Sequence, residues 1–207
     1  MKKNYVSNSQ ESARMFKSNF LESLSKVHWT VPLYIFVPVI LFCTYRALLQ
    51  DSMSIITYVE LFVLGLFVWT LVEYVMHRFV FHYMPPNKPW AMRMHFIFHG
   101  VHHDYPSDAK RLVLPPSVSI PLAAIFYFLF KAILPVNNIF GFFPGFILGY
   151  LCYDITHYAI HHFNFKGSIW KKIKQHHMLH HYQDPAKGYG VSSPLWDKIF
   201  GSDFIKK

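Results

Sequence analysis

Histidine is the commonest metal-binding side chain and titrates near neutral pH, and this chain has 14 among 207 residues, against 11 Asp and Glu together. Thirteen lie between His77 and His181, in four groups: HRFVFH (His77, His82), HFIFHGVHH (His95, His99, His102, His103), HYAIHH (His157, His161, His162) and HHMLHH (His176, His177, His180, His181). Protonated imidazoles packed this densely would repel one another, and neutral ones need partners. A bound transition metal answers both problems. A single HxxxH on an apolar helix is ordinary packing, whereas four such groups gathered at one end of a set of helices make a metal site.

Helix geometry sorts the candidates, because at about 100° per residue positions i, i+3 and i+4 share a face. His177, His180 and His181 fit that rule, as do His99, His102 and His103, and His157 with His161. His176 and His162 point about 140° from part of their groups and are expected near the site rather than in it. His95 joins its group only if the helix runs unbroken past Gly100. His77 and His82, at i and i+5, converge only if the helix bends or ends between them, and Pro85 and Pro86 favour an end nearby. Ten histidines remain as expected ligands: His77, His82, His99, His102, His103, His157, His161, His177, His180 and His181. They are too many for one ion and suit two. An all-imidazole ligand set fits iron, zinc or copper, and zinc competes well with ferrous iron. Glu73, one turn before His77, and Asp154, three residues before His157, lie near the same depth. An unpaired charge is costly there, so both are expected to accept N–H bonds from ligand imidazoles.

The elements that position these groups follow from composition. Hydrophobic residues make up 53% and charged residues 15%, which excludes a disordered chain, a coiled coil and a charged soluble enzyme. Cys43 and Cys152 sit inside apolar runs, so the chain is no disulfide scaffold. Four stretches, about 31–49, 55–76, 117–134 and 139–159, are long enough to cross a bilayer as helices. Short turns at about 50–54 and 135–138 make two hairpins of them. Of the 20 Lys and Arg, 18 lie before the first span, between the second and third, or after the fourth. Arg46 and Lys131, near the far helix ends, can snorkel outward. By the positive-inside rule both termini and the middle segment are cytoplasmic, so the net charge of +9 is a topology signal rather than a nucleic-acid footprint. With the first 30 residues polar and the first apolar run of span length, no cleavable signal peptide is expected. Phe16, Phe20, Leu24 and Val27 recur at helical spacing, which predicts an interfacial helix within 1–30, ahead of a membrane domain over 31–207. Trp29, Trp90, Trp170 and Trp196 lie where membrane-anchoring aromatics collect. The expected fold is therefore an all-α integral membrane protein, two transmembrane hairpins under a cytoplasmic helical cap that holds a histidine-rich dimetal site.

With these residues in place the chain resembles the membrane fatty acid hydroxylase superfamily, and within it the fatty acid 2-hydroxylases. The matching strings are HRFVFH, HFIFHGVHH, RLVLPP (Arg111–Pro116), YDITHYAIHH, and KQHHMLHHY leading to GYGVSSPLWDKIFG. The resemblance implies a dinuclear iron centre, with ligand roles on the same ten histidines, that activates O2 and inserts one oxygen at C2 of a long acyl chain, free or in a sphingolipid. Such chemistry is coherent: an unactivated C–H bond has no acidic proton, so the hard step belongs to the metals while the protein binds and orients. Eukaryotic members often begin with a haem-binding electron-donor domain, for which this chain has no room, so electrons are expected from a separate redox protein. That feature, and a C-terminus without a KDEL-type signal, favour a bacterial inner membrane over the endoplasmic reticulum. Within the same superfamily, a sterol desaturase or carotenoid hydroxylase would use a similar centre. A metal transporter or sensor is disfavoured, because transporters place ionisable groups near mid-membrane.

Overall fold

The computed structural model describes residues 3–85 and 87–204. Lys2, Lys206 and Lys207, counted above for charge, and Pro86, invoked for a helix end, lie outside the described residues. All regular structure among the described residues is helical. In chain order it comprises α1 (Asn19–Leu24), α2 (Val31–Gln50), α3 (Ile55–Phe81), α4 (89–104), α5 (Pro116–Ile133), α6 (Ile139–His162), α7 (Ser168–Tyr182) and α8 (Leu195–Ile199).

Helices α2, α3, α5 and α6 are long and apolar enough to cross a membrane. They match the expected spans to within a few residues, except that α3 runs on to Phe81 and α6 to His162. Hydropathy falls at those points, but backbone hydrogen bonding does not. The extra turns carry His77 and His161 on continuous helix, with His157 one turn before His161. Ser54 starts α3 by accepting the amide of Thr57 at 3.1 Å, satisfying one of the free N–H groups of a helix start.

Helix α6 is the centre of the molecule, with Phe142, Phe143, Phe146, Ile147, Tyr150 and Leu151 buried along it. Lipid tails are as apolar as leucine, so membrane helices associate by close packing, which small residues permit. Gly141, Gly145 and Gly149 share one face of α6 at four-residue spacing. A Cβ on Gly145 would enter the backbone of Phe62 in α3, and one on Gly65 would enter that of Phe142. This crossing fixes where α3 delivers His77 relative to His157. Gly145→Leu should lower the thermal unfolding midpoint in detergent, by the 1–3 kcal/mol or more (roughly) that overpacking a tight contact costs. A wild-type midpoint would show that the helices do not meet there.

The N-terminal segment differs from expectation. Only Asn19–Leu24 is helical, so Phe16, Phe20, Leu24 and Val27 share no continuous face. Phe20 is exposed whereas Val27 is buried. The segment is a strap across the cap: Val6 and Ser7 donate to the carbonyl of Asp104, Asn4 to that of Tyr182, and Val27 to that of Lys110. The buried Arg111 side chain draws it in, pairing with Glu22 at 2.7 Å and Asp108 at 3.3 Å and donating to Ser25 Oγ at 2.9 Å.

Candidate metal centre

The histidines of α3 meet through a change of helix type. Between Met76 and Phe81 the helix widens into a π turn, and the His82 amide donates to the His77 carbonyl at 3.2 Å, a bond spanning five residues. A π turn adds one residue to the ring, so positions i and i+5 fall on one face without the expected bend or break. The Nε2 atoms of His77 and His82 are 3.2 Å apart. Helix α4 likewise passes unbroken through Gly100 by a π turn at Phe96–Gly100. His95 is nevertheless directed away: its Nδ1 donates to the carbonyl of Phe81 at 2.5 Å, and its ring lies 5.8 Å from that of His82.

Ten histidines gather in two sets of five. One set is His77, His82, His99, His103 and His180, the other His102, His157, His161, His177 and His181, and within each set one nitrogen per ring lies within 4.8 Å of all the others. The neighbours His102 and His103 therefore serve different sets. His162 and His176 join neither. His162 packs on Tyr158, and His176 Nε2 lies 3.2 Å from Asp203 Oδ1.

The spacing inside each set fits a shared cation. Imidazole nitrogens each about 2.1 Å from one ion are about 3.0 Å apart at right angles and about 4.2 Å apart when opposed. Nearest Nε2 pairs are 2.9 Å (His77–His99, His99–His103, His102–His157), 3.0 Å (His161–His177, His177–His181) and 3.1 Å (His82–His180). Hydrogen bonding among neutral rings cannot account for this. Nδ1 of His77 faces the carbonyl of Tyr189 and Nδ1 of His180 that of Lys187. Carbonyls only accept, so both rings carry hydrogen on Nδ1 and turn Nε2 lone pairs inward. One N–H on His82 can serve only one of them. Burial, reinforced by the neighbouring imidazoles, holds His99, His102, His103, His177 and His181 well below the usual histidine pKa, and burial brings His180 down to about 4. Neutral nitrogens are what a metal needs.

The acceptors behind the rings are backbone carbonyls: Tyr189 for His77, Lys187 for His180 and, at 3.0 Å, Leu112 for His157. The expectation for Glu73 and Asp154 is therefore corrected. Glu73 accepts the amides of Val191 and Ser192, both at 2.8 Å, and the Ser192 hydroxyl at 2.5 Å, tying the C-terminal loop to α3. Neither carboxyl oxygen of Asp154 bonds an imidazole, and the residue faces a cavity beside His157. The loop that closes on the site occupies the places where carboxylates were expected. Asp197, which sequence reasoning passed over, shapes that loop by accepting from Tyr189 N, Gly190 N and Ser202 Oγ. Trp196, read as a membrane anchor, instead donates to Thr70 Oγ1 at 2.9 Å. The signal was present in the string GYGVSSPLWDKIFG, whose Asp197 has no solvent to face once the loop folds back.

A cavity of about 210 Å³ adjoins both sets, with His99 of one and His102 and His157 of the other in its wall and Phe81, Ile97, Val113 and Tyr153 making much of the rest apolar.

Four helices long and apolar enough to cross a membrane, carrying paired five-imidazole clusters beside an apolar cavity, define a membrane protein with a site fit for two metal ions. The fatty acid hydroxylase family model matches residues 62–202, and the chain belongs to that family. It is 40% identical to a fatty acid 2-hydroxylase of Rattus norvegicus over 90% of this chain and 55% of the rat protein. It is 39% identical to the dihydroceramide fatty acyl 2-hydroxylase FAH1 of Arabidopsis thaliana, over 93% of this chain and 81% of the plant protein. Among solved structures, full-length scs7p, of which only the hydroxylase domain is visible, superposes with a TM-score of 0.85 at 40% identity, covering 90% of this chain and 70% of that one. The chain thus spans about half the length of the rat relative. These relatives are eukaryotic and lend no support to a bacterial membrane. Family membership also removes the transporter and sensor readings.

Proposed function

We propose that this protein is an O2-dependent lipid hydroxylase that places a hydroxyl at C2 of a long-chain fatty acyl group, free or carried in a sphingolipid. The observation that carries the reading is the pair of five-histidine sets, each spaced for one ion, on the wall of an apolar cavity. His77, His82, His99, His103 and His180 would hold one iron, and His102, His157, His161, His177 and His181 the other. The irons would supply the redox chemistry with O2 that no side chain here can supply. Zinc in their place lacks that capacity, so zinc-loaded protein should be inactive.

The chain's own residues have other tasks. The carbonyls of Tyr189, Lys187 and Leu112 hold three rings in one tautomer and orientation, as partners of ligating histidines commonly do. The loop tied down by Glu73 and Asp197 covers the first set and keeps bulk water out. The cavity lets an acyl chain lie along Phe81, Val113 and Tyr153 with its carboxyl end nearest the histidines, which suits reaction close to C1. Asp154 lies on the cavity wall beside His157. Residues 31–207 form the hydroxylase domain and 1–30 a segment ahead of it. With 18 basic residues on one side, both termini and the site face the cytoplasm, where a separate redox protein would deliver electrons. The names of the relatives favour an acyl lipid over a sterol or carotenoid.

Lipid mass spectrometry of cells with and without the intact gene tests this reading. The expected result is a gain of one oxygen at C2 of acyl chains. Loss of two hydrogens, or an altered terpenoid, would assign the centre to another lipid.

A further inference from the structure

The cavity beside the histidines has two unlike walls. The inner wall belongs to the cap and α6. The outer wall is Met15, Phe16, Leu21 and Leu24 of the N-terminal strap, all before residue 62 and so outside the region the family model matches. Some lining residues are also surface residues and mark where the cavity opens: Leu21 is 47% exposed, Leu24 41% and Phe98 36%, and Ser117 is exposed beside them. Ser117 Oγ donates to the carbonyl of Leu24 at 2.9 Å, fixing one side of this mouth to the other. Ser117 belongs to the first turn of α5, which begins its membrane-crossing run at Pro116, so the mouth lies at the bilayer surface. Its rim is apolar. Apolar rim surface is more stable against hydrocarbon than against water, by roughly 25 cal/mol per Å², which suits a ligand arriving from the bilayer. The volume of about 210 Å³ is below the roughly 300–1,000 Å³ of pockets that enclose a whole drug-sized ligand, so only part of a lipid fits.

We propose that the strap forms the entrance to the acyl site: a membrane lipid inserts the end of its acyl chain that bears the carbonyl between Leu21 and Leu24 on one side and Phe98 and Ser117 on the other, and the two leucines decide which acyl lipids pass. The proposal deepens the hydroxylase reading and rests on it. The buried Arg111 of the histidine domain sets the position of this wall through Glu22 and Ser25, so the gap is set by the strap and the histidine domain together.

The test uses the full chain, metal-loaded, in phosphatidylcholine nanodiscs containing a palmitoyl probe with a diazirine in its acyl chain. One arm supplies the free acid and the other its N-acyl sphinganine, so the two lipid sources are told apart. Irradiation should label peptides containing Leu21–Leu24 and Phe98. Leu24→Trp should reduce that label about tenfold, the lower end of what pocket size discriminates. Leu24→Ala should increase it, and metal content should stay unchanged in both variants. Labelling in Leu24→Trp and Leu21→Trp equal to that of the unchanged chain, labelling confined to the outer faces of α2 and α3, or no labelling would overturn the entrance. If the protein still binds two ions and adds oxygen to lipid, only the entrance falls; a protein that does neither takes the hydroxylase reading with it.

Discussion

Replacing His180 by alanine is expected to release at least one of two bound ions and to abolish hydroxylation, while His162→Ala leaves metal content at the level of the unchanged chain. His180 is fully buried, its Nε2 is 3.1 Å from that of His82, and its Nδ1 is held by Lys187. Truncation removes one of five nitrogens and unpairs a carbonyl. Groups that merely support ligands cost about 10–100-fold in metal affinity when lost, so a ligand should cost more. His162 is one residue from His161 but directed against Tyr158, with ring centroids 4.6 Å apart. His176→Ala is the stricter companion, because His176 adjoins His177 yet pairs with Asp203; it should keep its metal and loosen only the C-terminal loop. Elemental analysis of folded protein from iron-replete cells decides. Metal loss in His162→Ala equal to that in His180→Ala would redraw the ligand sets.

Arg111→Met should detach the N-terminal strap. The side chains of Arg111 and Asp108 are 2% and 1% exposed and that of Glu22 is 9% exposed, so removing the cation takes a charge partner from two buried carboxylates, leaving Glu22 to Lys26 and the amides of Met15 and Phe16 and leaving Asp108 to Ser12 and the Lys110 amide. Breaking a buried pair by deleting one partner costs about 3–5 kcal/mol. The variant should show faster proteolysis before residue 30 and a lower unfolding midpoint, with both ions retained, because no histidine of either set touches the strap's ion pairs. Acid should act on the same latch. Burial alone would raise the Glu22 carboxyl, but Lys26, the amides of Phe16 and Met15, and Arg111 outweigh it and bring it from 4.5 to about 2. A carboxyl depressed on folding contributes its full stability above its unfolded pKa and loses it as pH falls through the folded one. Strap protection should therefore be complete above about pH 4.5, fade toward pH 2, and lose this dependence in Glu22→Gln. Protection that instead rises on acidification would refute the latch.

The two predictions rest on features of unequal visibility in the sequence. The membrane helices were legible because hydropathy and length are local properties of contiguous residues, and the ends of α2 and α5 came out within a residue or two. The grouping of His99 with His103, or of His177 with His181, was legible because four residues make about one helical turn. The histidines themselves, by number and spacing, determined that the chain has room for two ions.

What only the tertiary structure decided is everything that depends on a second segment arriving. The division of ten histidines into two sets, splitting His102 from His103, depends on the directions from which α3, α6 and α7 approach. The meeting of His77 with His82 depends on a π turn, one residue more than helical periodicity predicts. Arg111 reads in sequence as a cytoplasmic charge at the head of the RLVLPP string, and Glu73 as a partner for imidazole. They became a latch for the strap and a tie for the C-terminal loop because a buried charge takes whichever partner the fold brings within hydrogen-bond reach, and that partner lies 89 residues away for Arg111 and 118 or more for Glu73. Periodicity reports which residues of one helix share a face; it carries no information about what that face will meet.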